Sequence, residues 1–225
     1  MRVYPSGECG CPLLPFQLPA HVRVVLIGGT SHAGKSALGR QLAAGLGWEY
    51  LSTDKLARHP GRPWRDDGTA VPQHVVEHYA TLPVEELLAD VLRHYEQNVL
   101  PQVEALVRAR VADRAGPGLV LEGSALWPEF APRMLAEGAA ALWLIAGEEL
   151  LTRRLRAESR YAEKSAEERF LIDKFLQRTL AYNQRMADAV RGQGLLSVAV
   201  DEGEDLEGLA RACLRAVASA HAGEV

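Results

Sequence analysis

The stretch Gly29-Thr30-Ser31-His32-Ala33-Gly34-Lys35-Ser36 constrains this chain more than any other. Its spacing, G-x-x-x-x-G-K-S, is that of a phosphate-binding loop, and the flanks suit it. Before it runs Val22-Arg23-Val24-Val25-Leu26-Ile27, an apolar, β-branched run that reads as a buried strand. After it, Leu38, Leu42 and Leu46 recur at i, i+4 and i+8, one stripe of a helix that Gly47 would stop. Gly28, Gly29 and Gly34 let the backbone turn tightly enough for successive N–H groups to converge at the positive end of a helix dipole. Lys35 adds a charge for the outer phosphates, and the Ser36 hydroxyl is a ligand for magnesium.

Downstream, Trp48 to Ser52 reads as a second strand, placing Asp54 at a carboxyl end, where open α/β sheets bind ligands. Arg58, Arg62 and Arg65 follow in a loop stiffened by Pro60 and Pro63, an arrangement suited to an anionic substrate. His74-Val75-Val76-Glu77-His78 matches H-x-x-E-H, an inverted zinc-peptidase pattern that would still need a third ligand. The reading favoured here is a helix lining the substrate pocket. Pro83 to Arg114 is a long amphipathic pattern, with Thr81 expected as its cap and Pro101 expected to kink or split it. Leu119-Val120-Leu121 is a third strand with Glu122 after it, and Ala140 to Ala146 is a fourth, apolar enough to lie in a sheet covered on both faces. Glu148 to Arg160 and about Ala166 to Arg191 read as two helices joined by a charged turn. Arg153, Arg156 and Arg160 form a basic stripe on the first, and Lys174, Arg178 and Arg185 fall near one face of the second, as in a closing lid. Leu195 to Val200 is a fifth strand, and Glu204 to Ala220 a last helix.

Bulk properties narrow the class. The 225 residues suffice for one sizeable domain, and a net charge of −4 supplies no field that would draw the chain to nucleic acid or anionic membrane. No apolar run approaches the roughly 20 residues of a membrane span. Prolines break residues 1–20, which lack a signal-peptide core, so a flexible arm and a cytoplasmic location are expected. Cys9 and Cys11 have no second pair to complete a metal site, and Cys213 lies in the last helix; three cysteines make no disulfide framework.

This order resembles the P-loop small-molecule kinases: strand, G-x-x-x-x-G-K-S, helix, strand ending Ser52-Thr53-Asp54, helical insertion, strand ending Glu122-Gly123, then arginine-bearing helices. That group includes nucleoside monophosphate kinases, shikimate and gluconate kinases, chloramphenicol phosphotransferase and 2-phosphoglycerate kinase. The resemblance spans residues 23–200. It implies a three-layer α/β fold with a five-stranded parallel sheet in order 2-3-1-4-5, a single domain over 21–225, an acceptor-binding insertion over 56–118 and a lid over 153–185. It implies ATP and Mg²⁺ as cofactors and a small-molecule acceptor, in a monomer or homodimer. By position, Gly29 to Ser36 with Arg153 and Arg156 would hold the nucleotide. Lys35, Asp54 and Arg160 would be catalytic, and Asp54, Arg58, Arg62, Arg65 and Glu122 would contact the acceptor. Asp54 is followed by Lys55 and Leu56 where many members carry a second aspartate, and Glu122 replaces their usual third-strand aspartate. A regulatory nucleotide-binding module with no metabolite acceptor is the alternative.

Overall fold

The structure, a computed structural model, describes residues 18–57, 59–65, 69–135, 137–203 and 205–221. Strands β1 (Val24–Gly29), β2 (Glu49–Ser52), β3 (Leu119–Glu122), β4 (Ala139–Ala146) and β5 (Ser197–Val200) form one sheet in order β2-β3-β1-β4-β5. Every pair is parallel, and β1 is central, with Ile27 beside both Glu122 and Leu142. The expected sheet order is therefore present.

Alternation along β1 explains the layers. Val25 and Ile27 pack with Leu38 and Leu42 of α1 (Lys35–Leu46) and with Leu209, Leu214 and Val217 of α8 (Leu206–His221). Val24 and Leu26 face the opposite way, onto Val103 and Val107 of α4 (Leu100–Ala112) and Met186 and Val190 of α7 (Ala166–Gly192). Both faces are dry, and each fully buried leucine stabilises the fold by about 1.5–3 kcal/mol. Gly47, in the left-handed region at φ 65°, ends α1 as expected.

A third cluster stands off the sheet. Trp64, Tyr79, Leu87, Leu155, Ile172 and Phe175 bury one another where α2 (Gln73–Thr81), α3 (Val84–His94) and α6 (Glu148–Glu158) meet α7. This helical lobe forms the second wall of the cleft described below.

Two local expectations need correction. Thr81 closes α2, its hydroxyl donating back to the Glu77 carbonyl at 2.7 Å, while Pro83 takes the cap position of α3 with no side-chain cap. Pro101 does not split the helical run; a π-helical turn at Tyr95–Val99 widens the coil just before it. Proline has no N–H to give the preceding turn, and the wider turn shifts the hydrogen-bond frame where that donor is missing. Leu18 packs against the core, and the Val22 amide donates to the Pro19 carbonyl at 2.9 Å. Cys9 and Cys11 lie outside the described residues. No helix among the described residues is long and apolar enough to cross a membrane.

Candidate active site

β1 delivers the chain to the loop through Gly28, where a side chain has no room: an added Cβ would lie 2.9 Å from the Leu126 carbonyl and overlap the Trp143 indole. That indole is fixed by donating to the same carbonyl at 2.8 Å. The loop then enters α1 through Gly34 at φ 98°, a conformation that favours glycine. No side chain caps this end of α1, and its first turn carries no acid. Its free N–H groups and positive dipole end are thus left to an external anion.

Lys35 is buried, and its Nζ donates to the Thr30 carbonyl at 2.8 Å. Burial pushes its pKa below the usual lysine value, against the pull of Glu122 and Asp54. An ammonium held this way, beside unfilled backbone amides, suits a phosphate. Next to it, Ser36 Oγ donates to Glu122 Oε1 at 3.1 Å, and the Tyr50 hydroxyl donates to the same oxygen at 2.8 Å. Glu122 is only 1% exposed. Asp54, on the 3₁₀ turn after β2, is exposed on the floor of the cleft.

The cleft has a volume of about 950 Å³ and runs from the loop to the helical lobe. On that wall Arg178 of α7 is buried, donates to the Tyr79 hydroxyl at 2.9 Å, and lies over the Phe175 ring at 4.5 Å. Arg154 of α6 donates to the His32 carbonyl at 3.0 Å, joining the helical lobe to the loop. Arg62 pairs with Glu158 of α6 and lies over the Trp64 ring. The His32 side chain, 3% exposed, is 2.8 Å from the other Glu158 oxygen. Its imidazole is nonetheless held down at a pKa of about 4, first by burial and then by Arg62, Lys35 and Arg154. Arg62 already pairs with the Glu158 carboxylate.

The structure thus brings together Thr30 to Ser36, Asp54, Arg62 and Glu122 around one cavity, with Gly29 at the end of β1 beside Lys35. Arg65 is turned to backbone, donating to the Arg62 and Trp64 carbonyls at 3.0 Å each. Arg58 lies outside the described residues. The arginine stripe needs correction. Arg153 pairs with Glu202 at 2.5 Å, Arg156 lies over the Tyr161 ring at 4.9 Å, and Arg160 occupies an exposed left-handed turn at φ 50°. None of the three lines the cleft; Arg154, Ala157 and Glu158 do. The buried stripe Leu150, Leu151 and Leu155 sets the rotation of α6, and it turns Arg154 toward the loop. Arg178 had a stronger signal: it shares with Leu171, Phe175 and Tyr182 the buried face of α7, an arginine at a core position.

The H-x-x-E-H reading also fails geometrically. His74 is exposed, whereas His78 turns inward toward His59 and Asp90.

With this geometry in view, two solved structures are informative about the fold. A sugar kinase from Janibacter sp. HTCC2649, unliganded, aligns with a TM-score of 0.53 at 18% identity, covering 86% of this chain and 93% of that one. A gluconokinase from Sinorhizobium meliloti 1021 aligns with a TM-score of 0.51 at 19% identity, covering 89% and 94%. At such identity the likeness establishes a shared fold and nothing finer. No family model matches the sequence, and no curated protein matches it.

Proposed function

We propose that this protein is an ATP-dependent phosphotransferase that moves a γ-phosphoryl group to a hydroxyl of a small, anionic metabolite. The observation that carries the reading is the continuity of one cleft. An uncapped helix start and the buried Lys35 ammonium form one end, and Asp54 and Arg178 face the same space. Phosphoryl transfer asks a protein mainly for alignment and charge neutralisation, and this cavity offers both.

The donor set fits the cofactor: backbone amides and an ammonium for polyphosphate, a hydroxyl and carboxylates for magnesium. When bound, magnesium-ATP supplies the electrophilic phosphoryl group and part of its charge neutralisation. Residues Gly29 to Ser36 would hold it, with Ser36 as the magnesium ligand and Glu122 orienting the Ser36 hydroxyl. Lys35 stabilises charge on the outer phosphate oxygens. Asp54 accepts the acceptor's hydroxyl proton, and Arg178 and Arg62 bind and orient the acceptor's negative charge. Arg154, tied to the loop, stands where the sequence assigned Arg153 and Arg156. In this reading residues 21–225 are one domain, with 56–118 forming the acceptor wall and 153–185 the lid.

The test is ADP release from magnesium-ATP against a panel of sugars, sugar acids, nucleosides and phospho-acids. One acceptor should stimulate turnover and yield a stoichiometric phosphorylated product. ATP hydrolysis indifferent to every acceptor would instead support the regulatory module.

A further inference from the structure

On the helical side of the cleft, two largely buried imidazoles face a partly exposed carboxylate. His59 comes from the loop after β2, His78 from α2 and Asp90 from α3. Asp90 Oδ2 lies 3.6 Å from His59 Nε2 and 4.0 Å from His78 Nε2, and the three ligand atoms fall within 4.8 Å of one another. Those separations are too long for hydrogen bonds. Both Nε2 atoms are buried, and neither has a hydrogen-bond partner. Buried polar atoms are ordinarily satisfied, so two orphans aimed at one carboxylate need an explanation.

We propose that His59, His78 and Asp90 bind one zinc ion. Two imidazoles and a carboxylate are a zinc-type donor set. With metal–ligand bonds of about 2.0–2.1 Å, a tetrahedral site places its ligand atoms roughly 3.3 Å apart. A contraction of a few tenths of an ångström would bring Asp90 and His59, now 3.6 Å apart, to that spacing, and His78, at 4.0 Å from Asp90, would move in by about 0.7 Å. Asp90 keeps its other oxygen on Arg93 at 3.3 Å, which orients the carboxylate and leaves Oδ2 free. Arg178 opposes added positive charge here, while the Asp90 carboxylate favours it.

His94 is close, its ring 5.0 Å from that of His59, but is not a ligand. The Asn98 amide nitrogen lies 3.2 Å from His94 Nδ1, and the His94 ring atoms fall outside the three-atom cluster. The ion would staple the loop bearing Arg62 to α2 and α3. His59 also lines the cleft, but the proposal rests on the geometry of these three groups and its readout is metal binding itself.

The experiment is zinc titration of the chelator-stripped, full-length protein, with cobalt as a spectroscopic probe. One equivalent should bind, and cobalt should give the visible absorption of a four- or five-coordinate site. His59→Ala, His78→Ala and Asp90→Asn should each weaken zinc binding at least about 100-fold, more than the roughly 10- to 100-fold loss typical of an outer-shell partner. His74→Ala should bind within about twofold of the unmodified chain. Circular dichroism of the metal-free variants checks folding. If the histidine variants unfold, the partly exposed Asp90→Asn and the cobalt spectrum decide. No saturable zinc binding would overturn the site. So would binding lost in His74→Ala, or in Cys9→Ser and Cys11→Ser, but kept in His59→Ala and Asp90→Asn.

Discussion

The two walls of the cleft are built by different means. The phosphate-loop wall is made of consecutive residues: a strand end, the Gly29–Ser36 loop and a helix start, held mostly by backbone. Its chemistry comes from main-chain N–H groups and one lysine. The helical wall gathers Arg62, Arg154, Phe175 and Arg178 from three separate segments, with Tyr79 of α2 accepting from Arg178, and its chemistry is in side chains held by aromatic faces and other side chains. A local cradle changes little when its surroundings change, whereas a wall assembled from distant segments can be retuned one residue at a time. The first therefore suits what is common to phosphate donors, and the second suits what distinguishes acceptors.

That contrast predicts a graded series of effects. Lys35→Ala should reduce turnover by about 10³-fold or more, since charge neutralisation dominates phosphoryl transfer. Its melting temperature should hold or rise, because the substitution removes a buried ammonium that is costly to desolvate. Thermal unfolding beside an ADP-release assay reads both quantities. A cold-sensitive or unfolded variant with proportionate activity loss would recast Lys35 as a structural residue. Asp54→Asn, exposed and outside the cores, should lower kcat by roughly 10²-fold with stability unchanged.

Arg178→Ala should act on the other wall alone. The expected loss in kcat/KM for the acceptor is about 10²-fold, with ATP affinity measured without acceptor within about twofold. Some stability should go too, because the Phe175 face loses its cation and the Tyr79 hydroxyl a donor, although that hydroxyl still donates to Gly61 at 2.8 Å. Equal losses for both substrates would erase the division between the walls. Arg154→Ala should then cost about 10-fold in turnover, and Arg160→Ala less than about threefold. The reverse order would mean that the turn after α6 closes onto the nucleotide during the reaction.

The same division explains what the residues revealed in advance. The strand, loop and first helix were legible because every determinant is local: glycines where the backbone must turn, a lysine beside them, leucines one helical turn apart. The sheet order came through resemblance and holds. The basic stripe on α6 was legible as a stripe but not in rotation, since the leucines that fix the helix face make Arg154, one residue off the stripe, the contact. His78 shows the limit more sharply. Spacing pairs it with His74 four residues earlier, but tertiary packing pairs it with His59 and Asp90 on other elements. Asp54 and Glu122 were readable because strand ends in a parallel sheet have a fixed place.

The smallest expected effect tests the seam where the walls meet. His32 belongs to the loop, yet its ring lies beside Glu158 and Trp64 of the helical wall. Its folded-state pKa of about 4 lies below the ordinary 6.5, so the unfolded chain binds the extra proton first as the solution is acidified. His32 therefore contributes a stability that is full above pH 6.5 and is lost as pH falls toward 4, with a slope of up to about 1.4 kcal/mol per pH unit. His32→Asn, which accepts the left-handed backbone at φ 66°, should lower the pH dependence of unfolding by about one proton across that window. Chemical denaturation of metal-free protein at several pH values, with and without the substitution, isolates this contribution from those of the other buried histidines. An unchanged slope would mean that the 2.8 Å approach to Glu158 holds a charged imidazolium in the folded state. The seam would then be an ion pair rather than a neutral contact packed among cations.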